Sequence, residues 1–153
     1  MTGSPGCTAP DLARGIACAA VALLLATACA PAVPAATESD SAAQNAAIQR
    51  AFEQRSEGAE LTATGTVDRV LSDESGPSGP HERFIVRLPS GMTVLIEHNL
   101  SIAPRVPVAI GSAVTVHGEY VWNAEGGLLH FTHHDPDRSH EGGYVLYGGK
   151  RYD

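Results

Sequence analysis

All seven histidines of the chain fall between residues 81 and 140. An imidazole keeps a neutral, basic nitrogen near physiological pH, so several of them beside a carboxylate suit a divalent metal, zinc above all. The densest stretch is His130-Phe131-Thr132-His133-His134-Asp135-Pro136. No spacing in it is a zinc signature by itself, because His-x-x-His on a strand sends its two side chains to opposite faces. A site therefore requires a fold that gathers imidazoles from separate segments.

The rest of the composition bounds what that fold can be. The chain has 153 residues, with Lys plus Arg 10 and Asp plus Glu 17, a formal net charge of −7. That charge argues against a non-specific nucleic-acid coat, which must displace counterions with a basic surface. Charged residues make up 18% of the chain and hydrophobic ones 43%, too apolar for wholesale disorder. Sixteen Gly and ten Pro favour many turns and hence a β-rich fold.

The three cysteines, Cys7, Cys18 and Cys29, all lie in the first 29 residues. Gly15 to Ala28 is an uncharged apolar run with Arg14 before it. It has the length of a signal-peptide core and falls short of the ~20 residues of a membrane span. Residues 1–28 are thus expected to be a signal peptide. Ala26-Thr27-Ala28-Cys29 resembles a lipoprotein cleavage box, with Cys29 as the acylated residue and the membrane reached through that lipid. Cleavage after Ala32 or Ala35 would give a secreted or periplasmic protein instead, and an uncleaved anchor is the third reading. Either route predicts export. Residues 29–40 read as an Ala/Pro-rich tether.

Residues 41–153 read as one domain. Ser41-Ala42-Ala43-Gln44 fits a capping box, followed by a helix to about Glu57 with Ile48 and Phe52 on its buried stripe and Gly58 as its stop. Five alternating segments follow: Leu61–Leu71, Glu82–Leu88, Thr93–His98, Ala113–Trp122 and Leu128–His134. Ser72–Pro80 reads as a loop, Gly65 as a bend or bulge, and Gly142–Tyr152 as a possible short edge strand. Five strands with a longer connection between the third and fourth predict an all-β domain with one N-terminal helix, a small five-stranded OB-fold-like barrel. An SH3-type barrel is the alternative.

In that topology one pole collects the ends of the first, third and fifth strands. It would receive His81, His98, His133 and Asp135, with His140 folding back over it. These five are the expected metal ligands. Asn99 and Arg105 near that pole, and Glu119, Trp122 and Asn123 at the other, are candidates for a small polar ligand. Tyr120 shares the parity of Val114 and Val116 and belongs to the core. His117 and His130 read as surface or structural residues. A network of neutral, hydrogen-bonded imidazoles without metal would explain the same pattern.

The chain resembles the small exported bacterial family DUF3465, a domain of unknown function. The resemblance rests on His81–Leu88 (H-E-R-F-I-V-R-L), Ser90–Arg105, Gly118–Gly127 and His130–Pro136, with His140, Gly143 and the closing Gly-Lys-Arg-Tyr. Phe131 and Tyr144 stand where the family usually has Trp. The resemblance implies an exported single-domain protein and assigns no activity. Three functions fit these readings: an exported binding module for a divalent metal or small polar ligand, a metal-dependent hydrolase of phosphodiester-like bonds, or an envelope interaction scaffold without metal. In the hydrolase, Asp135 or Glu74 would be the base and Arg105 the anion clamp.

Overall fold

The computed structural model describes residues 38–153. The expected leader and Cys29 lie outside the described residues, as does most of the tether. One helix and eight strands follow in order: α1 (Glu38–Gln54), β1 (Ala59–Val70), β2 (Glu74–Gly76), β3 (Gly79–Arg87), β4 (Thr93–Asn99), β5 (Ala113–Val121), β6 (Leu128–His130), β7 (Tyr144–Tyr147) and β8 (Lys150–Tyr152). No helix among the described residues is long and apolar enough to cross a membrane.

Five of the strands close on themselves. The sheet runs β1-β3-β4-β6-β5, and β5 pairs back onto β1. All these pairings are antiparallel except β4 with β6. The long β1 makes closure possible because it serves two partners: Ala59 to Thr66 pair with β5, and Thr66 to Val70 pair with β3. The register shift that bends it lies between Val67 and Arg69, not at Gly65. Gly65 serves a close approach instead, since a Cβ there would sit 2.3 Å from the Arg87 carbonyl oxygen. Alternating positions fill the ring with Ala63, Val67, Phe84, Val86, Val94, Ile96, Val114, Val116, Tyr120 and Leu129, all buried. Tyr120 is in the core, and its hydroxyl donates to the Gly126 carbonyl at 3.2 Å. That bond satisfies the hydroxyl that Tyr120 brings inside.

α1 packs against β1 and buries Ile48 and Ala51 in the same core. The side chain of Asn45 accepts from the Thr64 amide (2.9 Å) and donates to the Thr64 carbonyl (2.8 Å). It thus occupies an edge of β1 that β3 does not reach. The helix starts at Glu38, with Glu38 and Asp40 in its first turn where acidic side chains suit the helix dipole. Ser41 therefore lies inside the helix rather than capping it. The helix also stops earlier than Gly58. Arg55 adopts φ 53°, the Arg55 amide donates to Phe52 and the Ser56 amide to Ala51, a Schellman ending without glycine. Trp122 explains why a non-glycine is held there. Its Nε1–H donates to the Phe52 carbonyl at 3.1 Å, and the Arg55 guanidinium lies 5.1 Å from its ring centre.

Three elements differ from the sequence reading. The Ser72–Pro80 loop contains β2, which folds back on β3. The C-terminal segment forms a β7–β8 hairpin paired to β5. The last ring strand ends at His130 rather than His134, because Phe131 takes φ 50° and breaks the extended run. Phe131 and His133 thus do not continue the parity of Leu129.

Candidate functional site

His98 continues the inward parity of Val94 and Ile96 and is fully buried. Its Nε2 faces the Pro104 carbonyl at 3.3 Å, so Nε2 carries the proton and donates. Its Nδ1 lies 2.9 Å from the Thr132 hydroxyl, which is also bonded to the Glu97 carbonyl at 3.3 Å. Burial, resisted by these two bonds, pushes the His98 pKa below the usual imidazole value. A neutral ring with both nitrogens committed has no lone pair left for a metal. His98 fastens the turn after β4 to the segment after β6. The expected role as a ligand beside His133 finds no support here.

The outer face of the same strands is different. β3 and β6 flank β4, so outward residues near their ends converge over Glu97. There His81 Nε2 and His130 Nε2 lie 3.3 Å apart, with rings stacked at 5.2 Å between centroids. His81 Nδ1 donates to the Gly79 carbonyl at 3.0 Å, which leaves its Nε2 as the lone-pair atom. Such a carbonyl tie on the far nitrogen is how proteins orient imidazole ligands. The pair opens on a cavity of about 250 Å³ that Glu74, Ser78 and Glu97 also line. Glu119 is the cross-strand partner of His130 in the β5–β6 register. His130 is kept below the usual imidazole pKa by burial first and by the neighbouring imidazoles second.

A third group sits on the strap that runs from Phe131 to Gly143. His133 is 3% exposed, and its Nδ1 donates to the His134 carbonyl at 2.7 Å. His140 repeats the arrangement, with Nδ1 donating to the Glu141 carbonyl at 2.7 Å. The two rings lie 6.0 Å apart, and Phe131 contacts both. Asp135 accepts from the amides of Asp137 (3.0 Å) and His140 (2.7 Å), and its Oδ1 is 3.8 Å from His140 Nε2. Burial opposes ionisation of this carboxyl, yet those amides outweigh it and leave its pKa below the usual value. Asp135 thus shapes the loop that presents His140. Burial, partly offset by the His134 carbonyl, lowers the pKa of His133 too.

The remaining candidates are spent on structure. Asn99 donates to the Ser78 carbonyl (3.0 Å) and accepts from the Ser101 amide (2.8 Å). Arg105 forms a two-point ion pair with Asp73 and lies 3.6 Å from Glu82, a carboxylate 3% exposed that accepts from the Val106 amide at 2.8 Å. Burial raises the Glu82 pKa, against the pull of that amide and of Arg105. Glu74, held by Arg83, is likewise paired. Asn123 accepts from the Glu125 and Gly127 amides at 2.9 and 2.8 Å and so closes the β5–β6 turn. Trp122 docks α1, as described above.

Sequence reasoning read His130 as surface or structural, although it lies in a motif that carries the family resemblance, and did not single out Glu97. The signal was available: if β4 and β6 are parallel neighbours, the residue after Leu129 faces outward beside Glu97. His117 was also underestimated. Its Nδ1 bonds the Thr62 hydroxyl at 2.9 Å, while its Nε2 is 3.4 Å from Glu141 and 4.0 Å from Glu60. Among the described residues, no group of three or more His, Cys, Asp or Glu side chains is gathered tightly enough to hold a metal ion as it stands.

A mostly β domain with one helix, a closed ring of five strands and imidazoles massed on its outside defines the class. A family model described as a protein of unknown function (DUF3465) matches residues 32–153, and the chain belongs to that family. No curated protein and no solved structure matches it.

Proposed function

We propose that this is an exported binding module for a divalent transition-metal cation, held by His81 and His130 on an OB-like barrel. One observation carries the reading. A tetrahedral zinc with bonds of about 2.0–2.1 Å separates two imidazole nitrogens by about 3.3–3.4 Å, and the two Nε2 atoms are 3.3 Å apart. On binding, the ion replaces the proton between the rings, and His130 moves its own proton to Nδ1. Glu97, in the cavity wall, is a candidate for a third ligand. Remaining positions stay open to water or to a small polar ligand. The carboxylates of Glu97 and Glu119 make the surroundings suit a cation and repel an anion.

Binding is favoured over hydrolysis by how the charges are used. A phosphodiesterase needs an anion clamp and a free base. Arg105 is paired with Asp73, Arg83 with Glu74, and Asp135 accepts backbone amides. The OB assignment is supported by the strand order and by the parallel neighbours β4 and β6. Export through the leader, with Cys29 lipidated, remains the proposed route, and the mass of the mature N-terminus tests it. A start at acylated Cys29 supports the anchor, whereas a start at Val33 or Ala36 replaces it with secretion.

The central test is a zinc titration by calorimetry on protein purified without a His-tag. Wild type is expected to bind at least one ion more than the His81→Ala/His130→Ala double variant. Equal stoichiometry and affinity in the two would overturn the proposal and leave the scaffold reading.

A further inference from the structure

The outer face of the ring is not uniform. Over β1 and the first half of β5 it is polar: Thr62 bonds His117 at 2.9 Å and Thr64 bonds Thr115 at 3.1 Å across the strands. Farther round, the registers Ile85↔Leu95, Leu95↔Leu128 and Leu128↔Val121 set four aliphatic residues in one row across β3, β4, β6 and β5. The row faces outward, because its chain neighbours Phe84, Val86, Val94, Ile96, Leu129 and Tyr120 are fully buried inside the ring. All four residues of the row are partly exposed. The row is about 14 Å wide, three interstrand spacings of ~4.8 Å. A single exposed aliphatic is ordinary on a protein surface, whereas a contiguous run with a polar rim marks an interaction site.

The rim decides what kind of partner fits. The next outward positions along the four strands are Arg83, Glu97, His130 and Glu119. Arg83 and Arg87, on either side of Ile85, are both neutralised, by Glu74 and by Asp68 respectively. Among the described residues, neither the Glu97 nor the Glu119 carboxylate has a hydrogen bond or an ion pair. Glu119 instead faces like charge from Glu60, its partner in the β1–β5 register. The uncompensated charge beside the row is therefore negative. The strands beneath it are paired on both edges, so a partner cannot add a strand there and must bind through side chains laid on the face.

We propose that the Ile85–Leu95–Leu128–Val121 row docks a cationic amphipathic segment of a partner protein. The apolar stripe of that segment covers the row, and its Lys or Arg side chains meet Glu97 and Glu119. This is the common plan of a protein interface, an apolar centre with a polar rim. The same carboxylates repel an acidic partner or an anionic lipid surface. A row of four side chains makes a small, transient contact rather than a permanent one. The proposal does not depend on metal at His81 and His130, and its test is run with chelator present.

The probe is a synthetic peptide of about fourteen residues with Leu on one helical face and Lys on the others. It is titrated into isotope-labelled protein in EDTA and followed by NMR. The backbone amide signals of Ile85, Leu95, Leu128 and Val121 are expected to shift together and to saturate. A counterpart with Glu in place of Lys should bind at least about tenfold more weakly. Leu95→Thr/Leu128→Thr keeps strand-forming residues in place and should weaken binding about tenfold. Glu119→Gln should weaken it about threefold and flatten its dependence on salt, and Thr115→Ser on the polar side should leave it unchanged. The map of shifts on wild type needs no variant to fold. The inference is overturned if the shifts fall elsewhere or are absent, if the Glu peptide binds as well as the Lys peptide, or if the folded double variant keeps full affinity. It is also overturned if the row signals move with protein concentration alone, which would make the row a contact between copies of this chain.

Discussion

The inside and the outside of the ring use the same residue types to opposite ends. Inside, His98 and Glu82 are nearly or fully buried, and their hydrogen-bonding atoms meet protein partners. Outside, His81, His133 and His140 each commit Nδ1 to a backbone carbonyl, and Nε2 faces another imidazole in His81 and a carboxylate in His140. Burial alone does not separate the groups, since His133 is as buried as Glu82. What separates them is whether the second nitrogen is spent. A histidine with two protein partners is part of the framework, and one with a single carbonyl tie is available to a ligand.

The largest effect should come from breaking the inner group. His98→Ala removes a buried ring, takes the His98 bond from the Pro104 carbonyl and leaves the Thr132 hydroxyl with the Glu97 carbonyl alone. A loss of about 2–4 kcal/mol is expected in urea unfolding, with zinc affinity of the folded protein little changed. If His98→Ala lost zinc binding at unchanged stability, the division between inside and outside would fail. The outer group should behave in reverse. His130→Ala is expected to weaken zinc binding at the cavity by at least about tenfold, since even residues that only orient a ligand are worth that much. Its stability without metal should change by less than about 1 kcal/mol.

Acid sharpens the comparison further. His98, His130 and His133 all have folded-state pKa values below their ordinary 6.5, each chiefly through burial. Below pH 6.5 the unfolded chain binds protons that the folded imidazoles refuse, so stability present above 6.5 is lost as pH falls through the lowered values. Glu82 and Glu60 have raised values, again through burial. They act oppositely, because the folded state takes up their protons first as pH approaches the ordinary 4.5. The melting temperature of metal-free protein should therefore drop between pH 7 and 5.5, and His130→Asn should make that drop shallower. An unchanged slope would remove His130 from the titrating set. The smallest effect is expected away from both groups. Trp122→Phe deletes the bond to the Phe52 carbonyl and should cost about 1 kcal/mol, with zinc binding unaffected; weakened binding would return Trp122 to the site.

The ring was legible because alternation along a strand reports which face is buried, and Val114, Val116 and Tyr120 followed that rule. The pairing of the third and fifth strands also followed from topology. Three features were hidden for separate reasons. Ser41 looked like a cap, but the acidic turn before it extends the helix. Arg55 ends that helix in a conformation usually given to glycine, because Trp122, 67 residues away, holds it there. Parity failed after His130, since nothing in the local sequence announces that Phe131 turns left-handed. The sequence reading gave His98 and His133 the same inward parity and set His81, Asp135 and His140 around them. In the structure His98 is inside the ring, His81 and His130 face outward, and His133 and His140 lie beyond the break in the strand.

That break has an evolutionary corollary. Phe131 acts as a fork in the chain: the ring just before it belongs to the cavity, and the one two residues after it belongs to the strap. Neighbours in sequence are thereby assigned to different neighbourhoods in space. Either neighbourhood can be retuned by substitution without dragging the other along, so one short segment can answer to two selective pressures at once.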